Sequence, residues 1–397
     1  MSGKTIVKIR NKYRTDYKSG YPLITKEAIL NVEVLKTEGE IIHIVDEQGQ
    51  FLGKGYHGLQ NKGYGWVLSF NKNEEIDQSF FEEKIAAAVS LRKQFYENTE
   101  TTAFRVFNGE GDGIGGLTID YFAGYYLVTW YSKGIYSFKD EVIHALEKAV
   151  SYKGIYEKKR FADTGQYVED DDFVKGERGE FPMIVKENGV NFAIYLNDGA
   201  MTGVFLDQRE VRKAIRDRYS DGKTVLNTFS YTGAFSVFAA LGGAAKTTSV
   251  DLANRSKAKT IEQFSINDID FEAQDIIVDD VFQYFKYAVR KQLAFDLVIL
   301  DPPSFARSKK VTFSAAKDYK NLLKEAIAIT ENGGVIVAST NSNAFGMKKF
   351  KGFINSAFKE SGTNYQILEE FSLPEDFRTS KDFKEGNYLK VVFIRKA

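Results

Sequence analysis

The feature that most restricts the fold of this chain is a regular alternation that begins near Asn197 and continues to the end of the sequence. Short β-rich runs fall at 224–227, 247–251, 275–278, 295–300, 334–340, 365–371 and 388–395. Segments with helical spacing separate the first five, and a loop carrying Pro374 joins the last two. Parallel neighbours need a crossover, usually a helix, whereas a loop permits an antiparallel return. The pattern predicts an α/β fold, a doubly wound sheet with one reversed strand, over 197–397.

The first 196 residues have a different rhythm. Residues 1–72 read as a small β-barrel, with strands at 29–35, 41–45, 51–52 and 66–70 and glycines punctuating 53–65. Residues 73–196 read as a central α+β domain. It opens with a linking helix at 80–96, whose Phe81, Ile85, Ala88, Val89 and Leu91 recur at helical spacing. Strands follow at 104–107, 117–122 and 126–131, then an amphipathic helix at 138–150. A hairpin is expected at 181–185 and 190–196 around Asn188-Gly189, a pair suited to a type I′ turn. The acidic run 169–172 reads as a solvated loop.

Composition excludes several chemistries. The 397 residues contain no cysteine, so disulfides, thiolate metal sites and cysteine nucleophiles are absent. The three histidines, His43, His57 and His144, show no metal-ligand spacing, and no metal is expected. No apolar run is long enough to span a bilayer, and the polar, basic start lacks a signal-peptide core, so a cytoplasmic protein is expected. The 54 basic and 54 acidic residues cancel, leaving any nucleic-acid surface to local patches. Such patches occur at Arg307-Ser-Lys-Lys310, at Lys348-Lys-Phe-Lys351 and at Lys4, Lys8, Arg10, Lys12 and Arg14. Each also reads as ordinary solvated surface.

Two glycine-rich stretches compete for a cofactor. Gly109-Glu-Gly-Asp-Gly-Ile-Gly-Gly116 is followed by a strand, whereas a dinucleotide fingerprint must open a helix, so it reads as a β-turn. The stretch 225–243 instead runs strand, tight loop, helix, with Gly233 at the turn. Asp251 ends the following strand, where a carboxylate can accept both ribose hydroxyls. One glycine and no lysine make a poor phosphate cradle, which suits a nucleoside cofactor without phosphates such as S-adenosylmethionine. A plain structural crossover is the alternative. After the third strand, Asp279 or Asp280 either meets an adenine amino group or caps the next helix.

The sharpest local signal is Phe295-Asp-Leu-Val-Ile-Leu-Asp-Pro-Pro-Ser-Phe305. An apolar strand runs into Asp301-Pro302-Pro303, which donates no proline amide hydrogens and is stiff. A fixed carboxylate and exposed carbonyls at the C-terminal edge of a sheet can grip the amino group of a flipped-out base, with Phe305 stacking on it. A rigid strand-end turn is the competing reading.

The C-terminal half resembles a class I methyltransferase with a Rossmann-like fold. The whole chain resembles the large-subunit rRNA methyltransferases that join an N-terminal PUA domain, a central α/β domain and a methyltransferase domain. The likeness rests on Arg105–Tyr121, on Thr202-Gly-Val-Phe-Leu-Asp-Gln-Arg209, on Asn227-Thr-Phe-Ser-Tyr-Thr-Gly233 and on Asp301-Pro-Pro-Ser-Phe-Ala-Arg-Ser-Lys309. It implies that Asn227, Phe229, Tyr231, Thr232, Gly233, Asp251, Asp280 and Asp301 surround S-adenosylmethionine, with S-adenosylhomocysteine as product. Asp207, Gln208 and Arg209 would line the same cleft, although a solvated helix face is the plainer reading of Arg209 and Arg212. RNA, as rRNA, is the implied partner, and a homodimer is compatible with it.

One segment departs from part of that family. Members that methylate C5 of cytosine resemble one another in a cysteine after the fifth strand, where this chain has Ala338-Ser-Thr-Asn-Ser-Asn343. C5 needs covalent activation, normally by a thiolate, and Ser339 or Ser342 would be poor substitutes without a histidine. The expected target is therefore an exocyclic amine or ring nitrogen. Asn341 and Asn343 resemble the matching segment of guanine-methylating members. The amine-methylase tetrapeptide normally has its aromatic directly after the prolines, whereas here Ser304 intervenes. Two rival functions are a nicotinamide-dependent oxidoreductase, disfavoured by the missing phosphate loop, and a non-catalytic RNA-binding or ribosome-assembly protein.

Overall fold

A computed structural model describes residues 4–60, 63–161, 171–199, 201–307 and 312–397. The chain divides into two compact units, one of Met1–Val185, Ile194–Thr202 and Glu375–Gly386, the other of Lys186–Ala193, Gly203–Pro374 and Asn387–Ala397. Among the described residues no helix is long and apolar enough to cross a membrane.

The first unit holds two five-stranded sheets. One runs in the order Thr5–Ile9, Ile41–Asp46, Phe51–Gln60, Gly63–Ser69, Leu23–Thr25. Val7, Ile9, Ile24, Ile42 and Ile44 fill its core. The expected strand at 29–35 does not form. Val32–Val34 is a 3-10 turn, and the Asn31 side chain takes the Lys8 amide (2.8 Å) and the Ile6 carbonyl (3.0 Å) that a strand would have paired. The edge position belongs instead to Thr5–Ile9, whose outward Lys8 disguises a buried Val7 and Ile9. Nor do the glycines after residue 52 break the chain. Phe51–Gln60 runs through them because a Cβ on Gly55 would lie 2.1 Å from the Trp66 carbonyl.

The other sheet runs Phe173–Gly176, Gly154–Lys159, Tyr125–Trp130, Leu117–Phe122, Ala103–Asn108. Helices Gln78–Leu91 and Lys139–Ala149 bury Phe81, Ile85, Val142 and Leu146 in the same core. Gly154–Lys159 is hard to see in sequence because Glu157 and Lys158 are buried within it. Each has a partner: Lys139 lies 3.0 Å from Glu157, and Lys158 pairs with Asp172. Asp172 is therefore buried rather than solvated, Asp171 is exposed, and Glu169 and Asp170 lie outside the described residues.

The first glycine-rich stretch is a turn, as its following strand implied. Its aspartate, Asp112, takes both terminal nitrogens of the buried Arg92 at 2.7 Å and the Asn108 amide at 2.7 Å. Arg92 also donates to the Asp376 carbonyl (2.7 Å), and Asn108 to the Arg378 carbonyl (2.8 Å). Gly111 is obligatory here, since a Cβ would sit 1.9 Å from the Arg378 carbonyl oxygen. The glycines thus seat the segment Glu375–Gly386. Removing one partner of a buried ion pair leaves the other charge uncompensated. Arg92→Met should therefore cost about 3–5 kcal/mol in chemical denaturation, with much of it returned by pairing it with Asp112→Leu.

The second unit is built on seven strands: β1 (Thr224–Thr228), β2 (Lys246–Asp251), β3 (Asp275–Val278), β4 (Phe295–Leu300), β5 (Thr330–Thr340), β6 (Tyr365–Phe371) and β7 (Lys390–Lys396). Their order is β3-β2-β1-β4-β5-β7-β6. β1 to β5 pair in parallel and β7 is antiparallel to both neighbours, so it is the reversed strand. Apolar side chains bury both faces, Leu226, Val298, Leu300 and Ile336 on one and Val225, Leu297, Ile299 and Val337 on the other. That two-sided burial is why these strands read as continuous apolar runs. The strand order reverses between β1 and β4, which is where an open α/β sheet binds its ligand. The hairpin Met183–Glu187 and Val190–Ile194 turns through Asn188 (φ 49°) and Gly189 (φ 81°), as the residue pair required.

Candidate active site

A cavity of about 380 Å³ opens in the second unit around the loops that follow β1, β2, β3 and β4. Its volume lies within the usual range for a small-molecule site.

The loop after β1 forms one wall and is bent in an unusual way. Phe229, Tyr231 and Gly233 all adopt left-handed backbone angles, with φ of 55°, 52° and 77°. Such angles are rare for bulky L-residues and cost about 1–3 kcal/mol each. The surroundings enforce them. The Tyr231 amide donates to Asp251 Oδ2 (2.8 Å), Ser230 to the Val250 carbonyl (3.1 Å), and Gly233 to the Ser230 carbonyl (2.8 Å). Thr232 Oγ1 donates to the Gly203 carbonyl at 2.6 Å. Phe229, Ser230, Tyr231 and Thr232 consequently line the cavity. Asn227 and Gly233 do not line it but support it. Asn227 Nδ2 donates to Ser236 Oγ (3.0 Å), which bonds Ser249 (2.7 Å), tying β1 to helix α1 (Ala234–Leu241) and to β2. Gly233 passes so close to Thr260 that a Cβ would meet its methyl at 2.5 Å.

Asp251 lines the cavity at the end of β2 and also accepts the Ala253 amide through Oδ1 (2.9 Å). Asp280 both lines the cavity and caps helix α2 (Val281–Arg290), accepting the Phe282 amide at 2.9 Å. The two readings of this residue are therefore compatible. Asp279 accepts the Asp280 amide (2.7 Å) and is not part of the wall.

Asp207 and Gln208 line the cavity, but Arg209 does not. Arg209 is buried, and Arg212, one turn later, contributes to the wall in its place. Neither is on a solvated face. Arg212 grips Glu187 through two bonds of 2.7 Å and reaches the Phe205 carbonyl at 2.6 Å. Tyr388 holds Asp207 by a 2.8 Å bond to Oδ2.

Asp301, Pro302 and Pro303 complete the wall beyond β4. Asp301 Oδ1 accepts from Ser339 Oγ (2.7 Å) and from Gln208 Nε2 (3.1 Å). Burial, and then the neighbouring Asp207 charge, push its carboxyl up to about 6 against the stabilising bond from Ser339. Phe305 stands apart from the wall, 63% exposed, in a short strand Phe305–Arg307 paired with Thr312–Ser314. Asn341 lines the cavity and accepts Ser304 Oγ at 2.6 Å, whereas Asn343 is exposed and outside the wall. Of the basic run 307–310, residues 308–310 lie outside the described residues. Lys348 and Lys349 are exposed on the helix Met347–Glu360, while Lys351 pairs with Glu370 and Arg14 with Asp46 (2.7 Å).

Sequence reasoning missed Arg212, Phe205, Phe282 and Phe313, all wall residues, and the role of Ser339. Phe282 and Phe313 carry no motif, and their place in the wall follows only from the folded loops.

The wall chemistry selects a ligand class. Its charged residues are four aspartates, Asp207, Asp251, Asp280 and Asp301, and one arginine already spent on Glu187. Such a wall repels phosphates and attracts a cation. The buried Gln208 Oε1 has no hydrogen-bond partner, so an acceptor is available for a ligand N–H. A cationic sulfonium nucleoside with an ammonium group fits this set, while a pyrophosphate dinucleotide does not.

The fold and this wall define a class I, S-adenosylmethionine-dependent methyltransferase. Comparison with known proteins agrees. The profile of the S-adenosylmethionine-dependent methyltransferase family matches residues 105–388, and a PUA-like domain profile matches 7–70. The chain belongs to that methyltransferase family. A Bacillus subtilis protein, YwbD, named provisionally as a ribosomal RNA large subunit methyltransferase, is 66% identical over 98% of this chain and 99% of its own. Ribosomal RNA large subunit methyltransferase I of Klebsiella pneumoniae is 31% identical over 93% of each chain. The crystal structure of SMU.776, described provisionally as a methyltransferase and solved with S-adenosylhomocysteine, superposes with a TM-score of 0.90 at 37% identity. It covers 98% of this chain and 99% of that one. The cofactor is S-adenosylmethionine, and the oxidoreductase reading is set aside.

Gly233→Ala should lower stability by about 1–3 kcal/mol, because the new Cβ must occupy a left-handed angle against Thr260. Titration calorimetry should show weaker S-adenosylhomocysteine binding by the same variant.

Proposed function

We propose that this protein methylates a base nitrogen of ribosomal RNA, acting in the cytoplasm where ribosomes assemble. The observation that carries the nitrogen assignment is the pairing of a buried acceptor, Asp301, with a chain that has no cysteine. Attack on C5 of a pyrimidine requires a covalent thiolate adduct at C6. Ser339 offers no substitute, since its hydroxyl is engaged by Asp301 and it is fully buried. The names of the relatives support the RNA substrate, as does the PUA-like match.

Bound S-adenosylmethionine supplies an electrophilic methyl carbon on a sulfonium. Asp251 accepts the ribose hydroxyls, Asp280 the adenine amino group, and Gln208 and Asp207 the ammonium end. Asp301 and the Pro302 carbonyl accept the N–H of the target and hold its lone pair toward the methyl group, so that orientation does most of the work. Phe305, exposed beside the prolines, stacks on the flipped base. The nitrogen sheds a proton once it is methylated, and a carboxylate poised near 6 is matched to accept it. Lys348 and Lys349 contact phosphates.

The chemistry predicts an acid limb in kcat. The active form of Asp301 is the carboxylate, and its folded value lies above the ordinary 3.8. Activity should therefore be flat above pH 6 to 7 and fall about tenfold per unit below about 6, in single-turnover methylation followed from pH 5 to 8. Asp301→Asn should abolish the limb together with most of the rate.

The function itself is tested by mass spectrometry of rRNA nucleosides from wild-type and deletion strains. Loss of one N-methylated nucleoside is expected, and its return on complementation. Loss of 5-methylcytidine alone would refute the nitrogen assignment.

A further inference from the structure

Three side chains form a closed ring of hydrogen bonds at the floor of the active site. Ser339 Oγ donates to Asp301 Oδ1 at 2.7 Å. Gln208 Nε2 donates to the same Oδ1 at 3.1 Å and to Ser339 Oγ at 2.8 Å. Both donors converge on one carboxylate oxygen. Among the described residues no hydrogen-bond donor reaches Oδ2.

From this asymmetry we infer that Ser339 and Gln208 are positioning residues for methyl transfer: they anchor Oδ1 of Asp301 and so reserve Oδ2 for the N–H of the target base. The inference rests on the reading of Asp301 as the acceptor of that N–H.

Each donor is itself immobilised. Ser339 lies within β5, fully buried, opposite Val391 of β7, and its carbonyl accepts the Tyr319 hydroxyl at 2.8 Å. Its Oγ accepts from Gln208 Nε2, and its single hydrogen goes to Asp301 Oδ1. Gln208 is 4% exposed in the turn Leu206–Gln208. Its amide orientation is dictated by charge. The opposite orientation would set Oε1 against the carboxylate, so Nε2 faces Asp301 and Oε1 is left buried without a protein partner. A buried unpaired carbonyl is costly, and the fold tolerates it at the residue that orients the acceptor.

A carboxylate held by one oxygen has a fixed plane, and its other oxygen has a fixed direction. Without the ring, Asp301 could rotate about its Cα–Cβ and Cβ–Cγ bonds and present either oxygen or neither. Misplacement of the target nitrogen by a fraction of an ångström is enough to slow an in-line transfer.

Two measurements test this. The first needs no RNA: crystal structures of wild type, Ser339→Ala and Gln208→Leu, each with S-adenosylhomocysteine. Rotation of the Asp301 carboxylate away from its wild-type plane is expected in both variants, with the cofactor unmoved in Ser339→Ala. An unchanged carboxylate in both would overturn the inference. The second uses the rRNA substrate. Ser339→Ala should lose about 10- to 100-fold in kcat with KM for S-adenosylmethionine unchanged, the effect of a hydrogen bond to a charged group, whereas Gln208→Leu, which also removes the acceptor for the ammonium end, should show the same loss in kcat together with a raised KM. The acid limb should move to higher pH, because a carboxylate with one donor fewer holds its proton more tightly. Gln208→Glu should move it further through like-charge repulsion, and Ser339→Thr, which keeps the hydroxyl, should restore most of the rate. Lost rate with the wild-type acid limb would mean a merely structural role and would overturn the inference. A wild type that methylated no RNA would remove the functional reading, and the crystal comparison would still decide the positioning.

Discussion

The Asp251 carboxylate is the interaction on which the cofactor cavity depends. One oxygen holds the Tyr231 amide and the other the Ala253 amide, so a single side chain joins the loop after β1 to the loop after β2. Those bonds help keep two aromatic residues at backbone angles they would not adopt alone. The return is a wall in which Phe229 and Tyr231 face the ligand space while the glycine that sequence singles out only makes room. Strain here is concentrated in two residues, Phe229 and Tyr231.

Much of the second unit was legible in sequence because its physics is local. Strands buried on both faces are apolar runs, and helices must separate parallel neighbours, so all seven strands fall within a few residues of their expected places. The first unit was less legible. Thr5–Ile9 was hidden by Lys8 within it, and the false strand at 29–35 lost to one asparagine side chain. Gly154–Lys159 was hidden because its charges are buried, which is affordable only with partners that lie far away in sequence.

The site shows the same division. Asp251, Asp280, Asp301, Pro302, Pro303 and the loop 229–232 stand at strand ends, and strand ends can be read from pattern. Arg209 and Arg212 differ by one helical turn, and which of them contributes to the wall depends on Glu187, a partner that no periodicity reveals. Ser339 was weighed only as a nucleophile. Its position at the end of β5 beside β4 makes it a hydrogen-bond donor to the next strand's carboxylate, a relation set by sheet order rather than by sequence spacing.

The segment Glu375–Gly386 has a consequence for how the protein is made. It leaves the seven-stranded sheet after β6, completes the first unit, and returns to supply β7. A ribosome emits the chain from the N-terminus, so the side chains of the first two sheets are synthesised long before the peptide carbonyls that Arg92 and Asn108 require. The first unit therefore cannot finish folding until Glu375–Gly386 has been made, nor can any single cut release it whole. A protein read as an enzyme of the ribosome closes its own earliest part only after a ribosome has made the distant segment Glu375–Gly386.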